Sequence, residues 1–173
     1  MEKIKIAIAG IGNCASSLIQ GLEYYGNPKN QNTPEGMMAA NIGGYTAQDI
    51  EVVAAFDVDK RKVGQTLDKA IYAKPNCTIH IIDPEKFPKS KVVVQKGHIL
   101  DGISEHMLDY DKYPEDTTFV VDRETPEVDV VKVLKESKAD IFIDYMPVGS
   151  EQAVKFYAQC AIDAHVAFLN CIP

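Results

Sequence analysis

Residues 8–17 read IAGIGNCASS: an apolar run ends in two glycines one residue apart, followed by asparagine, cysteine, alanine and two serines. The run starts at Ile4 and stops at Gly10, the pattern of a short strand buried on both faces of a parallel sheet. Next, ASSLIQGLEYY (15–25) places Leu18, Ile19, Leu22 and Tyr25 at helical spacing. Strand, glycine turn and helix therefore follow one another directly. In that setting Gly10, Gly12 and Ala15 spell G-x-G-x-x-A. The first glycine permits the tight turn, the second lets a pyrophosphate approach the backbone, and the small third residue lets the helix pack on the strand. The plainer reading is a strand that simply ends in a loop, and the rest of the chain separates the two.

EVVAAF (51–56) reads as a second strand ending at Asp57. An acid at that strand end bonds the ribose hydroxyls of a dinucleotide and repels a 2′-phosphate, so the pattern favours NAD over NADP. Lys60 and Arg61 nearby weaken that preference. Asp57 lies 45 residues after Gly12, where about 20 is usual. Residues 26–49 carry Gly, Pro and Asn throughout with no sustained period, and this 24-residue loop excursion accounts for the difference.

Further along, Asp59 is expected to cap a helix reaching about Tyr72, with Val63, Leu67 and Ile71 inside. CTIHII (77–82), KVVVQK (91–96) and TTFVVD (117–122) read as strands, and ILDGISEHML (99–108) as a short helix. The acidic residues and lysines between 83 and 96 read as solvated surface. Thr125 with Pro126 marks the start of a helix that turns Val130, Val131 and Leu134 inward. A strand in ADIFIDYM (139–146), a helix begun by Ser150 and a strand in VAFLN (166–170) complete the series. Strand and helix alternating in this way predict an α/β fold, a parallel sheet with helices on both faces and right-handed crossovers. DYMPVGS (144–150) then lies at the carboxyl end of a strand, where open sheets bind ligands.

The chain has 173 residues, the length of one domain, with 46% hydrophobic and 25% charged residues. Its net charge of -7 argues against nucleic acid or an anionic membrane as partner, so any phosphate must be held locally, on the positive end of the helix. Cys14, Cys77, Cys160 and Cys171 form no C-x-x-C pair, which points to a reducing cytoplasm. His80, His98, His106 and His165 share no ligand spacing, so no metal is assigned. Cys14 near a helix start reads as a small packing residue. Cys171, just past a strand, is where some dehydrogenases keep a nucleophile, but no histidine follows it to activate it.

IAGIGNCASSLIQGLEYY, VAAFDVDKRKVG, LDGI, VDVVKVLKESKADI and MPVGSEQAVKFYAQCAIDAHVAFLN together resemble the N-terminal half of inositol-3-phosphate synthase of the prokaryotic, actinobacterial type. The resemblance implies a Rossmann-like, doubly wound parallel sheet that binds NAD. It implies an isomerase of inositol and phospholipid biosynthesis that converts D-glucose 6-phosphate to 1D-myo-inositol 3-phosphate by internal oxidation with NAD, aldol cyclisation and re-reduction. Carried over by position, Gly10, Gly12, Asn13, Cys14 and Ala15 would form the pyrophosphate turn and Asp57 would take the ribose. Tyr145, Pro147, Gly149 and Ser150 would line the nicotinamide side, with Tyr157 as a further contact. The family continues into an α+β domain that carries the catalytic lysines and the main interface of a homo-oligomer, a tetramer. Residues 1–173 are then expected to be the NAD-binding domain alone, incomplete and unable to cyclise the sugar. Two other readings stay open: a non-catalytic NAD-binding module, and the Rossmann half of a semialdehyde or homoserine-type dehydrogenase.

Overall fold

The computed structural model describes residues 2–30, 36–103, 108, 114 and 117–172. Five strands, β1 (Ile4–Ala9), β2 (Ile50–Asp57), β3 (Val94–Lys96), β4 (Ile141–Asp144) and β5 (Ala167–Asn170), form one sheet in the order β3-β2-β1-β4-β5. Every pairing is parallel. Helix α1 (Asn13–Gly26) follows β1, the single turn α2 (Leu67–Ala70) lies between β2 and β3, α3 (Val130–Ser137) precedes β4, and α4 (Glu151–Ala164) links β4 to β5. The chain steps outward from β1 to β3, then returns to the other side of β1. The strand order therefore reverses between β1 and β4, which is where open α/β sheets bind ligands.

Both faces of the sheet are covered, as the near-continuous apolar strands require. On one face Ile6, Ile8, Ala55 and Ile143 pack against Ile19 of α1 and Leu67 of α2. On the other, Ala7, Ala9, Phe56 and Phe142 meet Leu134 of α3 and Tyr157 and Ala161 of α4. The alanines of β1 leave room for rings: Phe142 meets Phe56 and Tyr157 edge-on at 5.7 Å each. Such pairs contribute roughly 0.5–1.5 kcal/mol beyond the area they bury.

The structure departs from the sequence reading between the strands. Residues 59–65 form turns rather than the start of a long helix, because the Asp59 carboxylate takes the Arg61 N–H and α2 is only four residues long. CTIHII forms no strand: the Ile81 and Ile82 N–H groups donate to the side chain of Gln20 instead of to a neighbouring strand. TTFVVD contributes only a bridge from Val121 to Asp59. Thr125 does not open α3; its N–H goes to Asp122, and Asp129 caps the helix by accepting from Lys132 at 2.9 Å. Lys96, read as solvated, is buried on β3. Residues 99–103 are irregular, and residues 104–107 of the helix expected over 99–108 lie outside the described residues. The excursion after α1 holds a bridge from Ile42 to Tyr45 and closes in a 3-10 turn, Ala47–Asp49, on Thr46; residues 31–35 within it are not described.

Candidate functional site

The turn after β1 is built around Gly10, whose φ of +86° favours glycine. A Cβ there would lie 2.8 Å from the Tyr145 carbonyl oxygen, so β1 and β4 close on each other only because this residue has no side chain. The Gly10 N–H donates to Phe56 of β2 at 2.9 Å. Gly12 precedes α1, and nothing lies within 4 Å of where its Cβ would stand. Its carbonyl accepts the Ser16 N–H at 2.9 Å, the first bond of the helix. The turn thus presents open backbone at the positive end of a 14-residue helix, the arrangement that holds a phosphate.

Behind the turn lies a polar network. Asp57 ends β2, and its carboxylate accepts from the Ile11 N–H at 2.8 Å, the Val58 N–H at 2.7 Å and the Asp59 N–H at 2.9 Å. Three of about four acceptor positions of a carboxylate are therefore filled by backbone. Lys62, 1% exposed, donates to the Ile11 carbonyl at 2.7 Å and to Asn76 Oδ1 at 2.9 Å, and its Nζ stands 4.0 Å from Asp57. Burial pulls the Lys62 ammonium below the usual lysine range, against the opposing pull of Asp57 and Asp59.

A narrow crevice of about 70 Å³ runs over the strand ends, and Gly10, Gly12, Asp57, Tyr145, Pro147 and Tyr157 all border it. Six of the eleven residues singled out in the sequence thus converge. Ser150 is buried at the start of α4 and donates to the Pro147 carbonyl. Gly149 shapes the same loop with a φ of +94°. Ala15 is buried under α1 in the core. Asn13 turns its side chain away, accepting from the Cys77 N–H at 2.8 Å. Cys14 instead borders a larger apolar cleft of about 970 Å³ outside α1, together with Leu18, Leu22, Tyr25 and Ile42; Tyr145 borders both spaces.

Several groups around the crevice escaped the sequence reading. Asp101 caps α4 by accepting from the Gln152 and Ala153 N–H groups at 2.8 Å each, which fixes the crevice wall that carries Gly102. The Tyr157 hydroxyl accepts from the His98 N–H at 3.3 Å, and a Cβ at Gly97 would collide with it. Burial pushes that phenol well above the usual tyrosine range. Asp144, at the end of β4, is fully buried; Oδ1 accepts from the Met146 N–H at 3.0 Å while Oδ2 has no partner among the described residues, and burial raises its pKa. Lys62 and Asn76 were missed because they sit in polar runs; only the chain's turns at 59–65 and 73–76 bring them inward.

No protein-family profile matches the chain. Inositol-3-phosphate synthase of Mycolicibacterium smegmatis is 52% identical over 171 residues, 99% of this chain and 44% of that protein. The chain belongs to the inositol-3-phosphate synthase family. The family's member from Corynebacterium glutamicum is 48% identical over 98% of the chain and 44% of its own length. The chain thus spans less than half the length of the curated relatives it matches. Among solved structures, the crystal structure of Ari2 superposes with a TM-score of 0.75 at 32% identity, covering 99% of this chain and 47% of that one. A myo-inositol-1-phosphate synthase-related protein from Thermotoga maritima shares the fold, with a TM-score of 0.65 at 19% identity. Among the described residues, no helix is long and apolar enough to cross a membrane.

Proposed function

We propose that this chain is the N-terminal, NAD-binding part of an inositol-3-phosphate synthase, an isomerase that acts on D-glucose 6-phosphate in the cytoplasm as a homo-oligomer. The observation that carries the reading is a relative of that name, 52% identical over 99% of the chain, and the open glycine turn at this chain's strand-order reversal supports it. The residues fit a dinucleotide. Gly12 leaves the backbone bare where a pyrophosphate would rest on the start of α1. Asp57 keeps one acceptor position for a ribose hydroxyl after its three backbone donors. Tyr145 and Pro147 border the crevice where the nicotinamide would lie, and Gly149 and Ser150 shape the loop that carries them.

NAD, when bound, supplies a hydride acceptor that is later a hydride donor, so the cofactor is not consumed. The protein's part in this half of the site is positional. Gly10 sets the approach of β4 to the turn, Asp101 anchors the wall over α4, and Tyr157 with Gly97 closes the floor. The cationic groups that an enolate needs are proposed to come from the part of the relatives that lies outside the match.

Calorimetric titration with NAD and NADP, alongside an assay for inositol phosphate from glucose 6-phosphate, tests this. Binding of NAD in preference to NADP without turnover is the expected result. Absence of NAD binding would overturn the cofactor assignment, and inositol phosphate formed by the purified 173-residue chain would overturn its reading as a partial enzyme.

A further inference from the structure

The residue between the two glycines is held at both of its backbone polar groups. The Ile11 N–H donates to Asp57 at 2.8 Å. Its carbonyl accepts from Lys62 Nζ at 2.7 Å and from Asn76 Nδ2 at 3.1 Å. Asn76 is itself fixed, since it also donates to the Ile71 carbonyl at 2.9 Å and accepts from Lys62 at 2.9 Å. Lys62 and Asn76 are 1% and 8% exposed, and the Ile11 side chain is fully buried.

In a trans peptide the carbonyl and the following N–H point in opposite directions. The Ile11–Gly12 peptide is trans. With its carbonyl drawn inward by two donors, the Gly12 N–H faces outward, into the open space beside Gly12. Among the described residues that N–H has no protein acceptor. A buried lysine is costly to keep when a neutral side chain could fill the space, so its retention here calls for a role that charge or three donors can serve.

We propose that Lys62 is the positioning residue of the glycine turn: it locks the Ile11–Gly12 peptide so that the Gly12 N–H meets a bound diphosphate, and sets a positive charge behind that diphosphate. The proposal rests on the dinucleotide reading above and names the element that makes the turn anion-selective in a chain of net charge -7. Asp57 braces the preceding peptide unit, Gly10–Ile11, by accepting the Ile11 N–H. An anion in front of the turn also favours the charged form of Lys62, which burial alone disfavours.

The test is titration of the isotope-labelled chain with NAD and, separately, with inorganic diphosphate, following the Gly12 amide resonance in the wild type and in Lys62→Met. The side-chain volume is nearly kept, the hydrogen bonds and the charge are not. The expected result is a ligand-induced Gly12 shift in the wild type, and affinity at least tenfold weaker for both ligands in Lys62→Met at a temperature where it is fully folded by circular dichroism. Equal affinity in the folded variant would overturn the proposal, since a merely structural lysine would change the unfolding temperature alone. If Lys62→Met does not fold, Asn76→Ala is read in the same way, with at least threefold weakening expected and equality overturning. Wild-type binding of diphosphate but not NAD would remove the dinucleotide reading and leave Lys62 to be judged on diphosphate. Binding of neither would overturn both.

Discussion

Asp57 and Asp144 end the two strands that flank β1, at the same edge of the sheet, yet their surroundings are opposite. Asp57 receives three backbone N–H groups and has an ammonium 4.0 Å away. Asp144 is more deeply buried and, among the described residues, receives one N–H and leaves Oδ2 without a partner. The segment that follows each strand makes the difference. After β2 the chain folds back at once, aiming the Val58 and Asp59 N–H groups and then Lys62 at the carboxylate. After β4 the Tyr145 N–H is taken by the Ala9 carbonyl, Met146 supplies one bond, and Pro147 has no N–H to offer. A strand-end acid is thus a brace or a group biased toward its protonated form according to the donors the next few residues bring.

The contrast breaks most sharply at Asp57. Asp57→Ala leaves three N–H groups without their acceptor and Lys62 without its nearest carboxylate, and is expected to cost about 3 kcal/mol or more. A urea-unfolding midpoint close to wild type would mean that the network is not what holds the turn. A third carboxylate gives an intermediate effect. Asp101→Ala removes the cap of α4 and is expected to cost about 1 kcal/mol at neutral pH. Burial works against the charged form of Asp101, but the Gln152 and Ala153 N–H groups outweigh it and hold the carboxyl below its ordinary 3.8. Its stabilisation is therefore present above that value and lost as pH falls through the lower folded pKa, so wild type and variant should converge in acid.

Asp144 gives the smallest effect, a slope rather than a midpoint. Burial raises its folded pKa above the ordinary 3.8. Stability tied to its protonated form is therefore full below 3.8 and declines as pH rises through the raised value. Measured against Asp144→Asn, which does not titrate, wild type should lose ground between acidic and neutral pH. A constant difference across urea titrations at several pH values would show that Asp144 ionises in the fold as freely as in the unfolded chain.

Much of the fold was legible in the residues because its elements carry their own signals. The apolar runs at Ile4–Ala9, Ile50–Asp57 and Ile141–Asp144 can only be strands buried on both faces, and Leu18, Ile19 and Leu22 mark one side of α1. Gly10, Gly12, Asp57 and Pro147 were singled out because a phosphate turn and a strand-end loop call for those types there, and Tyr145 by resemblance; the structure brings the five to one crevice. The weaker signals failed where side chains capture backbone. Gln20 takes the N–H groups that would have made CTIHII a strand, and Asp122 takes the Thr125 N–H that would have opened a helix. Ranges such as 59–72 look helical by apolar spacing alone, but local Asp-to-backbone bonds compete with the helix and win near its start.

The amino-acid sequence by itself determined the alternation of strand and helix, the glycine turn and its acid partner, because period, glycine spacing and strand-end position are local properties. Only the tertiary structure decided that Asp57 braces the turn, that Lys62 and Asn76 lie buried behind Ile11, and that Asp144 Oδ2 stands without a partner among the described residues. Those contacts join residues 46, 51 and 65 positions apart. Which donors meet which acceptors over such separations depends on how the loops close over the sheet, and no local pattern records it.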